Sequence, residues 1–151
     1  MVTNIESRTS NVQYAALPWR KEKGKIEILL ITTSNARLWI VPKGWPIEGL
    51  TPSQSAAQEA LEEAGLEGEV AAEPIGSFRH HKQAKSGETI LCTVYLFPME
   101  VTGQRETWPE KDLRQIRWYS VEEAIAQIKR PSLRRLIAKF VKSSNQLAKT
   151  A

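Results

Sequence analysis

The chain of 151 residues carries 21 Lys+Arg against 17 Asp+Glu, a formal net charge of +4, and 41% hydrophobic residues. That length buries a core without staples, no apolar run approaches the roughly 18 residues of a membrane-spanning helix, and Met1 to Arg8 has neither a signal core nor the acid-free, arginine-rich look of a transit peptide. Cys92 is the single cysteine, which excludes an intramolecular disulfide and fits a reducing compartment, so the chain is expected to be cytoplasmic.

The elements read in chain order as follows. Val12 to Trp19 is a strand and Ile26 to Thr33 a β-branched run suited to a buried one, with the charged Arg20 to Lys25 as the turn between them. Leu38 to Val41 is a further short strand, stopped by Pro42 and Gly44. Next comes the clearest helix start: Thr51 as N-cap, Pro52 at the first helical position and Gln54 completing a capping box, with the helix expected to reach Ala64 and to close on Gly65. Ile75 to Gln83 and Thr89 to Val101 read as strands joined around Ser86-Gly87, and Leu113 to Tyr119 as another. Ser120 with Glu123 makes a second capping box for a helix to about Ile128, and Pro131 starts a third whose Leu133, Leu136, Ile137, Phe140 and Val141 share one face. The expected organisation is a flexible N-terminus at 1–11, a single domain over 12–143 and a flexible tail at 144–151. Strands around a central helix, followed by helices, make an α+β sandwich.

Charge is divided along these elements. Residues 1–50 hold 7 Lys+Arg and 4 Glu, residues 51–75 hold 6 Glu and no basic residue, and residues 76–151 hold 14 basic and 7 acidic residues. An acidic island in a basic chain suits a cation-binding cluster surrounded by groups that attract an anion. Nucleic acid is not the expected partner: Lys129, Arg130, Arg134, Arg135, Lys139 and Lys142 flank an apolar helix face and lack interleaved aromatics.

Within the island, Glu59, Glu62 and Glu63 stand at i, i+3 and i+4, so their carboxylates project from one helix face, while Ala57, Ala60, Leu61 and Ala64 supply the other. Like charges at this spacing repel, and the C-terminal half of a helix disfavours anions further. A solvated face is one account of them. A hard divalent cation is the other, since Mg²⁺ takes oxygen ligands and completes its shell with water and substrate phosphates.

The preceding loop, Val41-Pro42-Lys43-Gly44-Trp45-Pro46-Ile47-Glu48-Gly49, brings a glycine and a lysine to the helix start. Loop and helix together resemble the signature of the Nudix hydrolase family: a Gly, five residues, a Glu, seven residues, then Arg-Glu-apolar-x-Glu-Glu-x-Gly-apolar. Gly44 opens it, and Glu59, Glu62, Glu63, Gly65 and Leu66 close it in register. Leu50 departs from the signature's first Glu and Gln58 from its Arg, which in family members pairs with a neighbouring carboxylate. The resemblance covers roughly residues 12–141. Tyr14 to Arg20, Leu38 to Pro46, Phe97 to Val101 and Trp108-Pro109-Glu110 look like bacterial relatives of the diphosphoinositol-polyphosphate and diadenosine-polyphosphate phosphohydrolase branch.

The resemblance implies a Nudix-type α/β/α sandwich with a mixed central sheet, and Mg²⁺- or Mn²⁺-dependent hydrolysis of a diphosphate linkage in a nucleoside-polyphosphate or diphosphoinositol-polyphosphate type substrate. Glu59, Glu62 and Glu63 would be metal ligands beside the Gly44 backbone, Glu62 or Glu63 would double as general base, and a late-loop acid, Glu106 or Glu110, would join them. Lys43 would reach a substrate phosphate. Arg20 and Arg37, with Arg79, His80, His81 and Lys82, would form a basic rim, and Trp45 or Trp108 would stack on a base. His80 and His81, adjacent in a strand, point to opposite faces and are assigned no metal. The partner is a small-molecule polyphosphate rather than a membrane, and a homodimer is compatible with the sequence. Leu50 and Gln58 motivate an alternative, a degenerate Nudix domain that binds a nucleotide or phosphorylated ligand without hydrolysing it.

Overall fold

The computed structural model describes residues 11–34 and 37–150, with backbone alone over 146–150. Of the expected N-terminal segment only Asn11 falls among the described residues. Strands β1 (Val12–Glu22) and β2 (Lys25–Thr32) form an antiparallel hairpin. Its turn is Lys23-Gly24, with φ of 52° and 79°, the left-handed pair that matches the twist of a two-residue hairpin. Outward from β2 lie β3 (Trp39–Ile40) and β8 (Ile116–Ser120); β1 also pairs with β4 (Lys43–Gly44) and, in parallel, with the long β7 (Thr89–Gln104). β7 in turn carries β6 (Gly76–Gln83) and β5 (Leu66–Val70), so one mixed sheet of eight strands runs through the molecule. Ala15 to Leu17 and Ile28 to Ile31 are buried without alternation, the pattern of strands covered on both faces.

Helix α1 (Pro52–Ala64) starts and ends where its capping residues place it. The Thr51 hydroxyl accepts from the Gln54 N–H, the Gln54 side chain accepts from the Thr51 N–H, and Gly65 at φ 70° donates to the Ala60 and Leu61 carbonyls. Such a cap is worth about 1 kcal/mol. Ala56, Ala60 and Ala64, spaced by four, are fully buried, so α1 presents a face with almost no side-chain bulk to β1, β4 and β5. Short side chains permit close approach, and close approach brings the next face of α1, the glutamates, against the sheet edge. Helix α2 (Val121–Gln127) opens on the Ser120–Glu123 capping box, and α3 (Pro131–Thr150) buries Leu133 and Ile137 and stacks Phe140 on Trp19 at 5.5 Å.

Several bounds differ from expectation for identifiable reasons. Pro42 ends the third strand's ladder but keeps its carbonyl, which accepts from the Ala16 N–H, and Lys43-Gly44 then pair with Ala15 and Tyr14 as β4. β5 has one buried apolar residue, Leu66, and a register shift at Glu67/Gly68, where a Cβ would lie 2.0 Å from the Glu100 carbonyl oxygen. No alternating pattern advertises it. β8 begins at Ile116 because Leu113, 60% exposed, belongs to the preceding turn. α3 continues to Thr150, past the Val141 at which its apolar face ends.

Ala60→Leu, which forces α1 away from the sheet, is expected to destabilise the fold by about 1–3 kcal/mol in urea denaturation, and a change within error would contradict this packing.

Candidate active site

At the contact between α1 and β4, Glu63 is 8% exposed and its Oε1 accepts from the Lys43 N–H at 3.1 Å. Gly44, the next residue, has room only for hydrogen: a Cβ there would lie 2.2 Å from Oε1 of Glu59. The two signature elements therefore meet as main chain against carboxylate. Glu62, between them on the helix, offers its carbonyl oxygen to the Glu110 N–H at 3.0 Å.

That last contact comes from a distant loop docked over the end of α1. Arg105 N–H donates to the Gly65 carbonyl at 2.8 Å, and the Trp108 ring lies over Gly65, where a Cβ would meet it at 2.3 Å. Gly65 is thus required twice, for its left-handed φ and for its bare α-carbon. At the far end of the loop, Gln115 is tied to Thr32 by two 3.0 Å bonds, its N–H donating to the Thr32 hydroxyl and its carbonyl accepting from the Thr32 N–H. Between these anchors the loop delivers Glu110 and Arg114 to the carboxylates. Arg114 lies 2.5 Å from Glu110 and 4.0 Å from Glu63. Of the two expected late-loop acids, Glu110 is the one placed here; Glu106 is exposed, and its carbonyl accepts from Lys111.

The electrostatics follow from this crowding. Burial first, then Glu63, Glu62 and Glu110, push the Glu59 carboxyl up from 4.5 to about 8. Burial raises Glu63 to about 7, against the opposing pull of Arg114 and the Lys43 N–H. Burial lowers Lys43, partly offset by Glu63 and reinforced by Lys82. Burial, with Lys43 and Arg130, holds His80 neutral near 4.

Beside Glu63 opens a cavity of about 340 Å³ lined by Lys43, Arg114 and the β6 residues His80 to Gln83, with Thr33, Ser34, Leu38 and Ile40 opposite. Arg37, left-handed at φ 51°, lines an adjoining hollow of about 150 Å³ with Asp112 and Arg114. A larger hollow, about 500 Å³ between α2 and α3, contains none of these groups. Trp45 is 37% exposed, with the Lys82 ammonium 5.4 Å from its ring centre.

Two expectations are corrected. Arg20 is not brought to this region: six residues along β1 from Tyr14, its guanidinium is 2.8 Å from Glu27 and lies 4.1 Å over Trp118, and these partners occupy it. Trp108 packs on Gly65 rather than standing free to stack on a base. Arg114 was not anticipated, because a lone arginine in a turn has no periodicity or motif to mark it. Leu50 and Gln58 line a separate groove with Leu61, Leu66 and Met99.

Among the described residues, no group of three or more His, Cys, Asp or Glu is already drawn together tightly enough to hold a metal ion. The donors nonetheless fit a hard cation. Glu59, Glu62, Glu63 and Glu110 offer only oxygen, the last three raise the pKa of Glu59, and added positive charge would relieve that repulsion.

A family model described as "NUDIX domain" matches residues 11–140. Nudix hydrolase 12, mitochondrial, of Arabidopsis thaliana is 30% identical over 121 residues, 78% of this chain and 60% of that protein. Diphosphoinositol polyphosphate phosphohydrolase 3-beta of Bos taurus is 31% identical over 114 residues, 74% of this chain and 65% of that protein. The chain thus spans less than two thirds of the length of either relative. In three dimensions it resembles a C. elegans Ap4A hydrolase solved as a binary complex, at 24% identity and a TM-score of 0.63, covering 91% of this chain and 98% of that one.

The raised carboxyls fix the sign of a pH effect. Glu59 and Glu63 ionise near 4.5 when unfolded but keep their protons to about 8 and about 7 in the fold. Over that window the native state binds more protons, so these groups lower stability as pH rises. The Tm of metal-free wild type, taken relative to Glu59→Gln, is expected to rise from about pH 8 to about pH 5, and saturating Mg²⁺ should flatten the trend; a pH-independent difference would refute it.

Because the obstacle to a Cβ at residue 44 is the tip of a flexible side chain, Gly44→Ala should displace Glu59 rather than the backbone. Denaturation within about 1 kcal/mol of wild type, together with Mn²⁺ affinity about 10–100-fold weaker, is the expected result in calorimetry.

Proposed function

The chain belongs to the Nudix family, and on that footing we propose that it is a metal-dependent pyrophosphohydrolase cleaving a diphosphate linkage in a small polyphosphate of the nucleoside or diphosphoinositol type. The observation that carries this reading is the apposition of opposite charges: the crowded carboxylates of Glu59, Glu62, Glu63 and Glu110, and a cavity lined by Lys43, Lys82 and Arg114 that has Glu63 in its wall. Acid groups of this kind collect cations, basic groups collect phosphates, and phosphoryl transfer needs both at one phosphorus atom.

Glu59, Glu62 and Glu63, with Glu110 and the Gly44 backbone beside them, would hold Mg²⁺ or Mn²⁺. What a bound ion supplies is neutralisation of phosphoryl oxygens and acidification of water. The protein's own groups do the rest. Lys43, half-buried in the cavity wall, donates to a phosphate oxygen. Arg37 extends the positive lining at the mouth of the cavity. Glu62 or Glu63 takes the proton from the attacking water. In the metal-free fold burial holds Glu63 at about 7, and the charge of a bound ion would favour the ionised, proton-accepting form. Trp45 is the exposed ring available to a base, if the substrate carries one.

Leu50 and Gln58, the basis for a binding-only alternative, lie in a separate groove, so that alternative draws no support from the geometry around the carboxylates. Cys92, buried and unpaired within β7, fits a reducing, cytoplasmic setting as part of the same proposal. Among the described residues no helix is long and apolar enough to cross a membrane.

Dinucleoside polyphosphates and diphosphoinositol polyphosphates, each supplied with Mg²⁺ or Mn²⁺, form the test panel. Phosphate or nucleoside-monophosphate release is expected from at least one class, falling about 10²–10⁴-fold in Glu62→Gln or Glu63→Gln while the variants stay folded. Unchanged turnover in both variants would overturn the mechanism.

A further inference from the structure

Helix α1 has no cation of its own. Residues 51–75 contain no Lys or Arg, and at residue 58, where the signature carries an arginine, Gln58 makes no side-chain hydrogen bond among the described residues. Yet the carboxylates beside it are not left without a counter-charge. The Arg114 side chain, 12% exposed, directs one terminal nitrogen to Oε1 of Glu110 at 2.5 Å and the other towards Oε2 of Glu63 at 4.0 Å. Two carboxylates from different elements are thus addressed by the two arms of one planar fork, which a lysine cannot do.

The backbone carrying Arg114 is anchored on both sides. Its neighbour Gln115 is bonded twice to Thr32 at the end of β2, and Glu110 is bonded through its N–H to Glu62. Placing a guanidinium here is not an obvious stabilising device. The Arg114 Nε is buried without a partner among the described residues, and burying a partly satisfied charge opposes folding. A costly, rigidly anchored and doubly directed arginine points to function.

We infer that Arg114 is a positioning residue that supplies from the loop before β8 the charge missing at Gln58, holding Glu63 and Glu110 in the orientation that receives the divalent cation. The inference rests on the metal-dependent hydrolase reading. The counter-charge thus comes from the loop and not from α1, whose residue 58 lines a separate groove.

The experiment compares wild type, Arg114→Gln and Arg114→Lys. Mn²⁺ affinity of the metal-free proteins is read by calorimetry, kcat and KM on the best substrate of the panel, and folding by thermal melts. Arg114→Gln is expected to bind Mn²⁺ about 10–100-fold more weakly and to lose a similar factor in kcat with KM nearly unchanged. If Arg114→Gln does not fold, Arg114→Lys, which keeps the charge but not the fork, carries the comparison with a loss of about tenfold in Mn²⁺ affinity. Wild-type Mn²⁺ affinity in the folded Arg114 variant or a loss confined to KM would each overturn the inference. A wild type that binds Mn²⁺ but turns over no polyphosphate would remove the hydrolase reading while the calorimetry still decides the role of Arg114, and a wild type that binds no Mn²⁺ would remove both.

Discussion

Close approach of helix α1 to the sheet is the constraint from which the rest of the site follows. Ala56, Ala60 and Ala64 place almost no bulk between helix and strands, so the adjoining face, with Glu59 and Glu63, is drawn into half-buried ground at the edge of β4. Burial of carboxylates raises their pKa, proximity of further carboxylates raises it again, and the C-terminal half of a helix adds its own unfavourable field. Such an arrangement opposes folding. Its local instability is what a cation would relieve, and so the packing that destabilises the glutamates is the same packing that prepares them for a ligand.

The signature glycines acquire specific duties in this light. Gly44 leaves space for a carboxylate against main chain, and Gly65 combines a left-handed helix terminus with a seat for Trp108. Through that seat a loop remote in sequence is held over α1, bringing one further acid and one base to the cluster. The basic cavity on the other side of Glu63 then borders an acidic one, and the boundary between them is where a bridging phosphate would be accommodated.

Much of this was legible in the residues. Both capping boxes stand where Thr51/Gln54 and Ser120/Glu123 place them, because caps are local and depend on contacts three residues apart. The carboxylate face was readable for the same reason, since i, i+3 and i+4 share a helix face whatever the helix packs against. β5 and β4 were not, because Leu66–Val70 lacks alternation and Lys43–Gly44 is two residues long; each exists only where a partner strand supplies the hydrogen bonds. Arg20 was placed near the site by its composition and lies elsewhere, since its strand carries it to Glu27 and Trp118.

By itself, then, the sequence determined the family, the helix that bears the glutamates and the acidic island they form, because all three reside in local spacing. Only the tertiary structure decided that Glu110 rather than Glu106 joins them, that Arg114 faces Glu63 and Glu110, and that the basic lining comes from Lys43 and β6 rather than from Arg20. Arg114 and Glu110 are four residues apart, but their links to Glu63 and Glu62 span tens of residues and are made by strand register and loop docking, which depend on the whole sheet and leave no periodic trace along the chain.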